Sequence, residues 1–399
     1  MDSAGKQTML LLVLLLLELT TCIARDLSSK GSRGKLYPEK PPVKTIKVAF
    51  LIREDGELID CIDIYSQPAF GHPALKNHTI QMEPSSGAEG IARRETSEGK
   101  GNWWRSRCPP GTVPVPRPPS PISPFFTSKF VDRKGYLHEH AYLYERGVFH
   151  GTEARFNVWN PQTEGQNGEF SLAQLWIVND SSDWNSIEAG WHVFPSLNGD
   201  SQPRLFVYWT RDNYGSTGCY NLKCPGFVQV SDQISPVMAI SPVSAYEGEQ
   251  LFIDLLVFKL GVGPQFDMGL MNSSSVLTPA RNSCVEFSYN WQKIQRKPPN
   301  ITAANLLEWG GEVSRWANGP RLATKMGSGH FPSEGRDGIS CSVKNIECLN
   351  ATTNAFVQPT AAVAVAKVRN CYDINNVGST ATDGYVIYFG GPGKSDICQ

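Results

Sequence analysis

Two short stretches carry carboxylates at spacings that suit hydrolysis: Glu188 in "NSIEAGWHV", and Glu308 and Glu312 in "LEWGGEV". In such chemistry one ionised carboxylate activates a water while a second, kept protonated, donates to the leaving group. Alternation over 185–193 puts Ile187, Ala189, Trp191 and Val193 on one face and Ser186, Glu188, Gly190 and His192 on the other. Glu308, Gly310 and Glu312 share a face in the same way. Gly190 stands two residues from Glu188, and Gly310 two from Glu312. A glycine there removes the side chain beside the carboxylate and leaves floor for a substrate backbone. Burial and mutual repulsion would split the pKa values of two such acids. Solvent-facing glutamates are common on strands, so these residues alone leave the water-facing reading open.

Other chemistries fit less well. No G-x-S-x-G nucleophile elbow precedes an Asp and a His in a usable order. "GGPGKS" has Tyr388 where a P-loop needs its first glycine, and too little chain follows for the required helix. His138 and His140 in "HEH" share a strand face and could face a metal, but the sequence offers no third ligand, so neither metal nor cofactor is expected.

The elements around these residues are strands. From about Ser128 the chain runs through "HAYLYERGVFHG", "EARFNVWN", "LAQLWIVN", "RLFVYWT", "QLFIDLLVFKL", "AAVAVAKV" and "GYVIYFGG", short β-rich runs set off by turn residues. Without interleaved amphipathic helices they predict an all-β domain, an antiparallel sandwich or barrel. Upstream, "VKTIKVAFLI" and "ELIDCIDIY" predict a hairpin turning at Asp55-Gly56. "CPPGTVPVPRPPSPISP" carries eight prolines between Pro109 and Pro124 and reads as an extended spacer between this small β-containing segment and the main domain.

The 399 residues carry 37 Lys plus Arg against 38 Asp plus Glu, without the basic footprint of a nucleic-acid binder. Residues 1–24 have the pattern of a secretory signal: Lys6, a leucine-rich run from Met9 to Leu17, and small residues before Ala24. No later apolar run is long enough to span a membrane. A secreted protein is therefore expected, with glycosylation sequons at Asn77, Asn179, Asn272, Asn300 and Asn350. Nine cysteines follow the signal, an odd number, in a compartment where disulfides persist. Short loops close at least cost, which favours Cys219–Cys224 and Cys371–Cys398, and then Cys341–Cys348.

Several longer motifs carry a family resemblance. "IEAGWHVFP", "RLFVYWTRDNYGSTGCYNLKCPGFVQV", "ISPVSAY", "LEWGGEV" and "MGSGHFPSEG" resemble the neprosin family of plant secreted proteins. "DCIDIYSQPAFGHPALKNHTIQMEPSS" and "CPPGTVPVPR" resemble that family's activation peptide, and "CYDINN…YVIYFGGPG" its C-terminus. The resemblance implies a glutamic peptidase with a bent β-sandwich, made as a zymogen whose propeptide is an intramolecular inhibitor, and cutting peptides, proline-rich ones included, after proline. It implies a signal at 1–24, an activation propeptide at 25–108, a proline-rich linker at 109–127 and a peptidase domain at 128–399. By the same resemblance Glu188 and Glu312 are catalytic and Glu308 is a bystander, with Trp191, Tyr208 and the "MGSGH" turn lining the cleft beside Gly190 and Gly310, which spacing already marks as its floor. The stretch 259–300 departs from the family pattern, which leaves proline preference open. The rival reading is an inactive secreted sandwich that binds cell-wall glycans or proteins through its aromatic residues.

Overall fold

A computed structural model describes residues 47–71, 80, 82, 107–118, 135–181, 184–223, 226–259 and 303–399, with the backbone alone of 265–271 and 287–290. Residues 43–399 form one compact unit.

Its first part is a three-stranded antiparallel sheet in the order β1 (Lys47–Ile52), β2 (Leu58–Asp63), β3 (Thr112–Pro116). The expected hairpin is there, with Gly56 in the left-handed region at φ 86° where glycine is favoured. The start of the proline-rich stretch is itself strand β3. Proline lacks the N–H that a central strand needs, so it is tolerated at this sheet edge.

The second part is built from strands and turns, with one short helix, α1 (Pro195–Asn198), among its described residues. Strands β4 (Tyr136–Asn157), β5 (Phe170–Asn179), β6 (Asn185–Val193), β7 (Arg204–Thr210) and β8 (Cys219–Tyr220) are followed by β9 (Phe227–Gln229), β10 (Phe252–Phe258), β11 (Gln265–Met271) and β12 (Phe287–Asn290). Then come β13 (Ala304–Trp316), β14 (Cys341–Asn350), β15 (Phe356–Val357), β16 (Val363–Ala366), β17 (Asp373–Thr380) and β18 (Gly384–Gly390). All pair antiparallel. One layer runs β8-β7-β6-β5-β13-β4. The long strand β4 then hands the sheet on: its first half pairs with β13 and β16, its second with β10 and β14. Strands β14, β18 and β17 complete the other layer with β10, β11, β12 and β9.

Between the layers lies the main core. Ala173, Leu175, Ala189, Trp191, Val207 and Trp309 of the first layer share one buried cluster with Leu255, Val257, Val343, Ile387 and Phe389 of the second. Burial of each large apolar side chain here contributes about 2–3 kcal/mol.

Disulfides join Cys61 to Cys108 and Cys371 to Cys398. Cys219 is also disulfide-bonded, while its expected partner Cys224 lies outside the described residues. Cys341 and Cys348 are free and buried, contrary to the loop-closure expectation. Both sit on β14, and seven residues of strand separate them by roughly 23 Å. A disulfide needs Cα atoms within about 7 Å. Asn179 and Asn350 end strands β5 and β14 and are half-buried, whereas Asn77, Asn272 and Asn300 lie outside the described residues. No helix among the described residues is long and apolar enough to cross a membrane.

Candidate active site

Strand register places the acids. On the face of the first layer turned away from the core, Gln174 of β5 lies directly opposite Gly190 of β6 and Gly310 of β13. One step either way along those neighbours stand Glu188 and His192, Glu308 and Glu312. Gln174 is therefore the centre of a square whose corners are three glutamates and a histidine, each a diagonal neighbour at about 7–8 Å.

Gln174 bridges two of the corners. Its Nε2 donates to Glu188 Oε2 at 3.3 Å and to Glu312 Oε2 at 3.5 Å, while its buried Oε1 has no partner. Glu188 and Glu312 are each 5 % exposed. The other oxygen of Glu188 accepts from Ser186 Oγ and Tyr214 OH, both at 2.6 Å. For Glu312, Oε1 meets His138 Nδ1 in a short contact and His140 Nε2 at 3.5 Å. Burial alone would raise the Glu312 carboxyl, but the charge of His140 and the hydrogen bonds from both imidazoles outweigh it and hold Glu312 well below the carboxylate range. Both histidines of "HEH" thus face an acid, and Glu139 between them turns away to pair with Arg321 at 2.8 Å.

The third acid differs. Burial pushes Glu308 up to about 7; His140 and Arg146 pull it down, while Glu188 and Glu312 push it further up. At the remaining corner His192 is fully buried, stacked on Phe206 with centroids 4.5 Å apart, and accepts from Asn198 Nδ2 at 3.0 Å. Burial, with the charge of Arg204, depresses it to about 3.

Trp191, the "MGSGH" turn and the two glycines take on other roles than the expected ones. Trp191 is 0 % exposed on the core side, its Nε1 donating to Asn157 O, so it cannot line the face that carries Glu188. Alternation along the strand already put it there. The "MGSGH" turn is also behind the sheet: Met326 is buried in the inter-layer core, and a side chain on Gly311 would strike it. The glycines stay on the acid-bearing face but leave no open floor. A Cβ on Gly190 would come 2.0 Å from Ala173 O, and one on Gly310 2.3 Å from Ala141 O. They are glycine because neighbouring backbone comes too close for a side chain, at Ala173 and Gln174 of β5 for Gly190 and at Ala141 and Tyr142 of β4 for Gly310. Tyr208 does share the face: it pairs with Glu188 across β6 and β7 and stacks near Tyr214 and Tyr220.

Sequence reasoning missed Gln174. The available signal is the amide inside the apolar run "LAQLWIV", a side chain that a buried strand tolerates only with partners.

The described prosegment docks at the other end of β6 and β7. Glu57 accepts from Arg204 Nη1 at 2.5 Å and Arg53 Nη1 at 2.5 Å, all three side chains being buried. Gln67 and Gln229 exchange side-chain and backbone bonds of 2.7 and 2.8 Å, and Ile62, Ile64 and Val113 pack on Val228.

Comparison with known proteins agrees with this organisation. The family model "Neprosin" matches residues 167–271 and 290–392, and "Neprosin activation peptide" matches 51–120. Among solved structures the chain is similar to Scytalido-glutamic peptidase with a peptide-based transition state analog, at 12 % identity and TM-score 0.32, over 64 % of this chain and 97 % of that one. It is also similar to SCP-B, an Eqolisin-family peptidase in complex with the tripeptide Ala-Ile-His, at 11 % identity and TM-score 0.30, over 63 % and 96 %. Likeness at that distance assigns no residue. The two family matches together cover most of the chain in the expected order, and the chain belongs to the neprosin family, with an activation-peptide segment ahead of its neprosin domain.

Proposed function

We propose that this chain is a secreted glutamic endopeptidase, made as a zymogen, that hydrolyses peptide bonds after proline at acid pH. The observation that carries the reading is the Glu188–Gln174–Glu312 bridge: two buried carboxylates share one amide on one sheet face. The two carboxylates have unlike surroundings. Glu312, held ionised against two histidines, is the general base that takes a proton from water. Glu188 protonates the departing amine, and Gln174, Ser186 and Tyr214 orient its carboxyl. A prosegment whose sheet includes β3, followed by the rest of the proline-rich stretch, fits a segment that is cut loose on activation.

The test is digestion of an unstructured proline-rich protein at acid pH, with the new termini read by mass spectrometry. Termini clustered after proline are expected, and Glu188→Gln or Glu312→Gln should lower the rate by on the order of 10³-fold or more. Full activity in either variant would sink the dyad. An intact substrate together with retention on wall glycans would favour the inactive binding protein instead.

A further inference from the structure

Glu308 is the acid of the square that the dyad does not use. It is 9 % exposed, and among the described residues it makes no hydrogen bond and no ion pair. Its oxygens are not among the buried unpartnered atoms, so they reach the surface and can meet a group that arrives from outside. Arg146, on the neighbouring strand β4, is engaged by Asp180 at 2.9 Å. What surrounds Glu308 suits a visiting cation. Trp176 of β5 lies directly opposite it on one side and Tyr144 of β4 on the other, with Tyr142 one step along. Both tyrosines are half-buried. Aromatic faces attract lysine and guanidinium groups, and a carboxylate among them supplies the countercharge.

We propose that Glu308 is the recognition residue of a subsite for a lysine or arginine side chain of the peptide substrate, within two residues of the bond that is cut. The distance follows from the register: Glu308 is a diagonal neighbour of Gln174, about 7–8 Å away, and an extended peptide advances roughly 3.3 Å per residue. The inference rests on the peptidase reading. The charged and titratable groups facing Glu308 are Glu188 of β6, Glu312 of its own strand, and His140, Tyr142, Tyr144 and Arg146 of β4. With its proton held up to about pH 7, the Glu308 carboxyl is neutral in strong acid and gains charge toward neutrality, where a bound cation compensates it. Selectivity for basic residues should therefore grow as pH rises.

The acid-incubated full-length protein is given two proline-containing peptides in one tube. They are identical except for lysine or norleucine at one position, which is moved along the positions flanking the cut. Product ratios are read by mass spectrometry at about pH 3.5 and about pH 6.5. At one position the lysine peptide should be favoured by about tenfold at the higher pH and by less than about twofold at the lower. Glu308→Gln should hold the ratio near one at both. The wild-type contrast between the two pH values stands whether or not the variant folds. Equal cleavage at every position and both pH values overturns the subsite and leaves the peptidase reading intact. Failure to cut either peptide removes that reading, and the subsite with it.

Discussion

A glutamine at the centre of the square can serve its neighbours in either protonation state. Its amide donates to a carboxylate through Nε2 and, turned over, accepts from a protonated carboxyl through Oε1. The unpartnered Oε1 of Gln174 is free for that second role. Gln174→Leu should therefore keep the fold and lower kcat by on the order of 10²–10³-fold, the scale of losing one preorganised donor. A rate within about threefold of wild type, with unchanged circular dichroism, would remove the amide from the mechanism. At this scale the sequence was half legible. Glu188 and Glu312 were marked by the glycine two residues away, yet the reason was misread, since Gly190 and Gly310 answer to backbone crowding. Trp191 shows the opposite error, because family likeness overrode an alternation that already put it on the core side.

At the scale of elements, local patterns were readable and long-range pairings were not. The hairpin at Asp55-Gly56 follows from its turn residues, and Cys371–Cys398 from a short loop. Cys61–Cys108 spans 47 residues, and nothing in the spacing marks it. Nor does "REDGEL" mark Glu57 as the residue that would clamp Arg204 of β7. This clamp supports a prediction about activation. Arg204 also pairs with Asp200 at 2.6 Å and Arg53 with Asp55 at 2.8 Å, so Glu57→Gln leaves neither arginine bare but removes the charge that ties the prosegment to β7. Glu57→Gln should release the prosegment from the processed protein far faster than wild type, seen as earlier loss of the N-terminal fragment on size exclusion. An unchanged release rate would mean that the other contacts, among them Gln67–Gln229, Arg107–Asp232 and the Val228 cluster, hold it without the clamp.

For the whole molecule, two displaced groups set opposite pH limits. His192 is neutral in the fold down to about pH 3 but protonates at 6.5 when unfolded, so the unfolded chain binds the extra proton between those values. Its contribution is complete above 6.5 and is lost as pH falls, up to about 5 kcal/mol. Glu308 runs the other way. Its folded carboxyl keeps the proton to about 7 against 4.5 unfolded, so stability drains as pH rises across that window, by up to about 3 kcal/mol. Where the windows overlap, from 4.5 to 6.5, the slopes oppose, and stability should be greatest in mild acid. Thermal melts of Glu308→Gln across the pH range should lose the decline above pH 6 and keep the acid limb. A variant with the wild-type decline would assign that limb to other groups.

Strand β4 belongs to both layers, holding β13 and β16 with one half and β10 and β14 with the other. Neither layer can open while the other stays closed, because the shared strand would have to leave both. A peptidase at high concentration is its own most abundant substrate, and cutting within such a body requires opening all of it at once. On the peptidase reading proposed above, self-cleavage would therefore fall in chain outside the sandwich, which is where a zymogen needs its cut.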